Sequence, residues 1–118
     1  MLRVAINGYG RIGRSVLRAV YESGFRRLLQ VAAINEPADA KTIAHLTRYD
    51  STHGRFPGTV DLENNRLQVN GDAINLFHGE EIMSLPWHDL QIDVVLECSG
   101  TFSERYTAEH HIRAGASR

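Results

Sequence analysis

Three glycines near the start of this 118-residue chain impose the strongest constraint on its fold. Residues 8–13 read GYGRIG, which has the spacing G-x-G-x-x-G. A short apolar run, residues 2–7 (LRVAIN), comes directly before them, and residues 11–23 then carry apolar side chains at helical spacing. The sequence therefore predicts a strand, a tight turn and a helix that begins inside the glycine motif, which is the arrangement that binds a dinucleotide pyrophosphate.

Each glycine has its own task in such a turn. Gly8 permits the sharp change of direction, Gly10 leaves room for a pyrophosphate at the backbone, and Gly13 allows the helix to pack closely on the strand. The backbone N–H groups of Arg11 and Ile12 lie at the helix N-terminus, where unpaired donors and the helix dipole favour an anion. The alternative is a tight turn that uses glycine only for its flexibility.

Beyond the first helix the chain continues the same alternation. The nearly continuous apolar run at 28–34 (LLQVAAI) predicts a parallel strand covered on both faces, and 38–49 predicts a second helix with Pro37 in its first turn. Gly24 is expected to end the first helix. The further predicted elements are a loop at 50–54, a hairpin of 67–69 and 73–76 around Asn70-Gly71, a short helix at 80–85, a buried strand at 94–96, and a last helix from Ser103 or Thr107 to Ala114. The residues expected to face the core are Ile12, Val16, Leu17, Ala19 and Val20 in the first helix, and Ala40, Ile43, Ala44 and Leu46 in the second.

The order of these elements predicts an α/β fold. Two strand–helix units, a hairpin and a third strand–helix unit indicate a Rossmann-type, doubly wound, mainly parallel sheet with an antiparallel hairpin excursion. The 118 residues are expected to form one domain. Ligands of such sheets bind at the carboxyl ends of the strands, where the glycine turn lies.

A carboxylate stands at the end of the second predicted strand. Glu36 comes 23 residues after Gly13, the separation expected for a side chain that accepts hydrogen bonds from the adenosine ribose hydroxyls. The same charge would repel a 2′-phosphate, so Glu36 predicts NAD rather than NADP. The alternative is a solvated turn carboxylate beside Pro37.

Composition and charge exclude several classes of protein. Thirteen basic and fourteen acidic residues give a net charge of -1, which provides no field for nucleic acid or an anionic membrane. No apolar run approaches the ~18–20 residues that span a bilayer. The start (MLRV) lacks the features of a secretory leader, so we expect a cytoplasmic protein. The single cysteine, Cys98, excludes an internal disulfide and a cysteine-rich zinc site, and no metal site is expected.

Four segments of the chain carry a family signature. They are residues 4–14 (VAINGYGRIGR), 49–56 (YDSTHGRF), 85–87 (LPW) and 94–102 (VVLECSGTF), which extend over almost the whole chain. In this order they resemble the glyceraldehyde-3-phosphate dehydrogenase family. Residues 21–24 (YESG), 33–36 (AINE) and 84–87 (SLPW) are most similar to the branch that oxidises D-erythrose 4-phosphate. The glyceraldehyde 3-phosphate branch, which usually has Asp in place of Glu36, is the alternative.

The resemblance implies NAD as the cofactor and assigns residues to it. The implied cofactor-binding residues are Asn7, Gly8, Gly10, Arg11, Ile12, Asn35, Glu36, Ser99 and Gly100. Asn7 would line the adenosine and pyrophosphate path with the glycine turn, and Asn35 would meet the adenosine end with Glu36. Glu80 stands where the family often has an arginine beside the adenine. The resemblance also implies a phosphorylated aldehyde as substrate and a homotetramer.

The resemblance further implies where the chemistry lies. Family members use a cysteine thiolate, paired with a histidine, in a Ser-Cys-Thr-Thr-Asn segment, and these 118 residues contain no such segment. Cys98 is not expected to replace that thiolate, because it lies in a cofactor-side segment and Glu97 would raise the pKa of its thiol. We therefore expect no catalytic residue here and interpret the chain as the truncated NAD-binding portion of a longer enzyme, inactive alone. The alternative from another class is a stand-alone nucleotide-binding or regulatory module.

Overall fold

Strands and helices alternate along the first half of the chain, as the sequence predicts. The computed structural model describes residues 1–50, 54–56, 58–79 and 85–98. The elements are β1 (Leu2–Asn7), α1 (Arg11–Glu22), a 3-10 turn (Phe25–Arg27), β2 (Leu29–Asn35), α2 (Ala40–Arg48), β3 (Tyr49–Asp50), β4 (Gly54–Arg55), β5 (Val60–Glu63), β6 (Arg66–Val69), β7 (Asp72–Phe77) and β8 (Val94–Glu97). No helix among the described residues is both long enough and apolar enough to cross a membrane.

Within the described residues, six strands form one sheet in the order β5-β6-β7-β2-β1-β8. The four strands β7, β2, β1 and β8 run parallel, and β5 and β6 add two antiparallel strands at one edge. The α/β Rossmann-type fold is therefore confirmed. The predicted antiparallel hairpin, β6 and β7, is part of this sheet. Its second strand, β7, pairs in parallel with β2, and β5 and β6 extend the sheet in the antiparallel direction.

The sheet separates two apolar clusters. The larger cluster joins the buried side chains of both helices, such as Leu17 and Ile43, to one face of the sheet, including Ile6 and Ile34. The smaller cluster, on Ala5, Ala32 and Ala33, contains the fully buried Trp87 with Leu85 and Ile92. Both described helices thus cover the same face, and the 85–92 segment covers the other.

Two helix ends differ from the predicted ones. Ser23 is the C-cap of α1, and Gly24 follows it with a positive φ of 78°, as expected for the residue after a helix. The second helix begins later than predicted, at Ala40, because Asp39 is its N-cap and accepts a 2.7 Å hydrogen bond from the backbone N–H of Thr42. Pro37 therefore precedes the helix.

The predicted inner faces of the helices are partly wrong. Ile12 is 66% exposed, whereas Gly13 is buried against the sheet with Leu17. In α2 the buried set is Ile43, Ala44 and Thr47, with Leu46 only half-buried. Thr47 can be buried because its hydroxyl is hydrogen bonded. Ile12 can be exposed because Gly13, and not Ile12, makes the contact between α1 and the sheet.

The predicted hairpin at Asn70-Gly71 is confirmed, with φ angles of 49° and 89°. A second hairpin, between β5 and β6, was not predicted, although Asn64 and Asn65 adopt the same left-handed conformation. The predicted loop at 50–54 is also incomplete, because β3 and β4 form a short antiparallel pair there. The predicted helix at 80–85 and the last helix to Ala114 lie outside the described residues, apart from Leu85.

The carboxylate of Asp72 connects the end of α1 to the start of β7. Arg26 donates to it through Nε at 2.7 Å and Nη2 at 3.1 Å, and the Tyr21 hydroxyl donates at 2.9 Å. The Arg26 guanidinium holds the pKa of Asp72 below its usual range. This contact therefore stabilises the fold above the unfolded-state pKa of about 3.9, and the stabilisation is lost as pH falls through the lower folded-state value.

We expect Asp72→Asn to lower the free energy of unfolding by less than about 1 kcal/mol at pH 7, because the ion pair is partly solvated. The difference from the wild type should shrink as the pH is lowered through the acid range. Urea unfolding at a series of pH values measures both quantities. Asp89→Asn, at an exposed position, is the control. An equal pH-dependent difference in that variant would contradict the assignment to Asp72.

Candidate functional site

The glycine turn, residues 8–13, lies at the carboxyl end of β1 between β2 and β8. Gly8 has a φ of 93°, and its backbone N–H donates to the carbonyl of Asn35 at 2.8 Å. A Cβ on Gly13 would lie 2.5 Å from the Gly8 carbonyl oxygen and 3.2 Å from Ile6 Cγ2. The predicted tasks of Gly8 in the turn and of Gly13 in close packing are both met by this geometry.

The N-terminus of α1 is open to a ligand. Gly10 is its N-cap, and among the described residues no side chain caps it and no atom lies within 4 Å of a Cβ built on Gly10. Arg11 and Ile12 are exposed, and α1 has no acidic residue in its first turn. Within the described part of the chain, the first N–H groups of the helix are therefore uncapped by any side chain, as an anion site at a helix N-terminus requires.

Glu36 holds the glycine turn in place through its carboxylate. Oε1 accepts a hydrogen bond from the backbone N–H of Tyr9 at 2.8 Å, and Oε2 accepts one from Ala38 at 3.0 Å. The side chain is half-buried at the end of β2. Each oxygen keeps a second lone pair, so the carboxylate can still accept from a ribose hydroxyl.

Tyr9 is a structural anchor of the turn that the sequence reasoning missed. Its ring is buried, and its hydroxyl lies 2.7 Å from Thr47 Oγ1, which itself donates to the carbonyl of Ile43. The Tyr9 hydroxyl is therefore the donor to Thr47. Burial raises the pKa of Tyr9. The sequence did contain a signal for this role, since an aromatic residue between two glycines suggests a turn whose side chain packs into the core.

Four polar groups form a chain of hydrogen bonds across the sheet, which we call the polar chain: Gly79, Asn35, Asn7 and Glu97. Asn35 Nδ2 donates to the carbonyl of Gly79 at 2.8 Å and to Asn7 Oδ1 at 2.7 Å, and its Oδ1 accepts from Gly79 N–H at 3.1 Å. Asn7 Nδ2 donates to Glu97 Oε2 at 2.7 Å. Sequence reasoning placed Asn7 and Asn35 at the site but missed Glu97.

His78 supports the turn that follows β2. Its Nδ1 lies 3.0 Å from the carbonyl oxygen of Glu36 and 2.8 Å from that of Ala38, so this nitrogen carries a proton. Its Nε2 lies 3.2 Å from Asn65 Oδ1 in the turn between β5 and β6. The ring thus connects the Glu36 turn to a neighbouring hairpin.

Cys98 follows β8 and packs against the larger apolar cluster. Burial, and then the charge of Glu97, raise the pKa of its thiol, which is the opposite of what a nucleophile requires. Three further residues named from the sequence, Ser99, Gly100 and Glu80, lie outside the described residues. The cofactor-binding roles of all the named residues stay predictions.

These features together define a class of protein. An open helix N-terminus, a glycine turn at the carboxyl ends of parallel strands and a carboxylate at the end of β2 form a Rossmann-type dinucleotide-binding domain. The described residues fit the pyrophosphate of such a ligand, because none of their side chains caps the N-terminus of α1 and none of their atoms lies within 4 Å of a Cβ on Gly10.

A comparison with protein families identifies the ligand and the family. Residues 2–105 match the model described as glyceraldehyde 3-phosphate dehydrogenase, NAD binding domain. The chain belongs to the glyceraldehyde 3-phosphate dehydrogenase family. NAD is its cofactor, and the activity it serves is that of an NAD-dependent dehydrogenase.

Proposed function

We propose that the intact protein oxidises D-erythrose 4-phosphate to 4-phosphoerythronate with NAD, a reaction on the route to pyridoxal phosphate. The binding half of this proposal is supported by one observation above the others: the Glu36 carboxylate lies 2.8 Å from the Tyr9 N–H of the glycine turn. The substrate half is supported by the segments 21–24, 33–36 and 84–87, which resemble the erythrose 4-phosphate branch.

The described residues bind and orient the cofactor in this proposal. NAD, when bound, supplies the hydride acceptor. The N–H groups of Arg11 and Ile12 would donate to its pyrophosphate, and the Glu36 carboxylate would accept from the adenosine ribose hydroxyls. The family's Ser-Cys-Thr-Thr-Asn segment is not among these 118 residues, so the aldehyde chemistry is proposed for the intact protein.

The substrate is tested on the intact protein with both aldehyde phosphates, each with and without inorganic phosphate. We expect NADH to form from erythrose 4-phosphate at a rate that does not depend on inorganic phosphate, because water releases the acyl group. Cys98→Ser should retain the activity, since that thiol is not the proposed nucleophile.

Two results would overturn the proposal. A preference for glyceraldehyde 3-phosphate with a requirement for inorganic phosphate would place the protein in the glycolytic branch. Binding of NAD without oxidation of either aldehyde would favour the nucleotide-binding or regulatory module.

A further inference from the structure

The polar chain runs along the edge of the sheet where the cofactor binds. Gly79 comes after β7, and the other three members are the last residues of β2, β1 and β8, in the order in which these strands lie side by side. Backbone hydrogen bonds run beside it. The Glu36 N–H donates to the carbonyl oxygen of Phe77 at 2.8 Å, and the Cys98 N–H donates to the backbone carbonyl oxygen of Asn7 at 2.7 Å. The polar chain therefore adds one row of side-chain bonds beyond the backbone ladder of four parallel strands.

The two ends of the polar chain impose the same direction on it. At one end Gly79 offers a carbonyl and an N–H, which fix which way the Asn35 amide points. On the other side Glu97 Oε2 accepts from Asn7 Nδ2, so that nitrogen faces Glu97. Asn7 Oδ1 then faces Asn35 Nδ2, which is the only arrangement in which every bond has one donor and one acceptor.

The amides of the polar chain are committed to one another. Asn7 and Asn35 are each 5% exposed. Both N–H donors of Asn35 are used, and Asn7 uses one donor and one acceptor. Their backbones, however, lead directly into Gly8 and Glu36, the residues that shape the cofactor site.

We propose that the polar chain positions the NAD site, and that Glu97, its member on β8, is a positioning residue. Asn7 and Asn35 act in this proposal through the glycine turn and through Glu36, and not as direct ligands of the cofactor. The inference rests on NAD binding at this site and does not depend on which aldehyde is oxidised.

A transfer of the carboxylate from position 97 to position 7, made in two steps, tests this role in the intact protein. Asn7→Asp places a carboxylate opposite Glu97, where a 2.7 Å hydrogen bond stood. We expect the Kd for NAD to rise about tenfold or more, because a charge-assisted bond becomes a repulsive contact. Adding Glu97→Gln restores a donor and an acceptor at that contact, and the introduced carboxylate still accepts from Asn35. The double variant should bind NAD within about threefold of the wild type.

A direct ligand role for Asn7 predicts a different result. The Asn7 amide is missing from both variants, so Glu97→Gln would then rescue nothing. A folded double variant that binds NAD as weakly as Asn7→Asp would overturn the proposal, and so would an Asn7→Asp variant of unchanged affinity. If Asn7→Asp does not fold, the double variant decides alone, and a tenfold loss of its affinity overturns the proposal.

A matched control is the contact between β1 and the residue before β8, at the opposite end of the same two strands. Asp93 accepts a 2.9 Å hydrogen bond from the backbone N–H of Arg3. We expect Asp93→Asn to change the urea midpoint but not the Kd for NAD, and an equal loss of affinity would overturn a positional role at the carboxyl edge. If the wild type itself binds no NAD, the function fails. If it binds NAD but leaves erythrose 4-phosphate unchanged, only the substrate proposal fails.

Discussion

Replacing Gly13 by alanine is expected to destabilise the protein and to remove most of its affinity for NAD. The new Cβ would lie 2.5 Å from the carbonyl oxygen of Gly8, a backbone atom that no change of rotamer can move. Overpacking of this kind costs about 1–3 kcal/mol. Alanine returns up to about 1 kcal/mol through its higher helix propensity. We therefore expect a net loss of about 1–2 kcal/mol in the free energy of unfolding.

The affinity falls for the same reason. The carbonyl that must move belongs to the glycine turn, and the turn places the N–H groups that we propose as donors to the pyrophosphate. Displacement of the turn far enough to relieve the 2.5 Å contact weakens several hydrogen bonds together. We expect the Kd for NAD to rise at least about tenfold, measured by calorimetry at a temperature where the variant is folded.

Gly10→Ser is the matched control for this prediction. Gly10 has an extended backbone (φ -80°), and a Cβ there meets no atom of the described residues within 4 Å. Serine is a favoured N-cap, so stability should be unchanged or higher by a few tenths of a kcal/mol. Affinity for NAD should still fall, because the serine side chain occupies the approach to the helix N-terminus. We assign Gly13 to close packing and Gly10 to ligand access. That assignment would be wrong if both variants lost affinity and only Gly10→Ser lost stability.

Most of the fold could be predicted because its signals are local. The runs at 2–7 and 28–34 give strands, and the Asn70-Gly71 pair gives a hairpin. Their order then leaves few topologies, since parallel connections are right-handed. The β5 strand was missed although its residues alternate, because Asn64-Asn65 was not interpreted as a turn.

The helix faces show the limit of apolar patterns. A pattern counts Ile12 as a core residue, yet Gly13 makes the contact because only the absence of a side chain lets the helix approach. The pattern likewise omits Thr47, whose burial depends on a bond from Tyr9, 38 residues away. Neither effect is encoded in the hydropathy of the residue itself.

The candidate site divides in the same way. The glycine turn and Glu36 could be predicted, because a motif and one separation along the chain define them. The role of Glu97 could not, because its partner Asn7 is 90 residues away in sequence and only the strand order β2-β1-β8 brings them together. The role of Tyr9 could not be predicted either, because it depends on the Thr47 hydroxyl, which α2 places 2.7 Å from the Tyr9 hydroxyl.

Selectivity for NAD over NADP is expected to depend on Glu36. Glu36→Gln cannot keep both backbone contacts, because an amide offers one oxygen to the two N–H groups of Tyr9 and Ala38. Loss of charge-assisted bonds to the ribose should weaken NAD binding about 10- to 100-fold. Removal of the negative charge should favour NADP relative to NAD. The ratio of the two Kd values, measured by fluorescence titration, tests both effects together.

Asp39→Asn is the control that tests whether selectivity depends on the position of the Glu36 charge or only on the net charge near the site. Asp39 lies three residues beyond Glu36, is exposed, and caps α2 through Thr42. Asparagine is an equally good N-cap, so the variant removes one negative charge from the same turn and leaves the helix intact. Because exposed charges are screened, we expect the ratio of the Kd values to change by less than about twofold. A similar change of selectivity in both variants would mean that net charge near the site, and not the Glu36 carboxylate, discriminates against the 2′-phosphate.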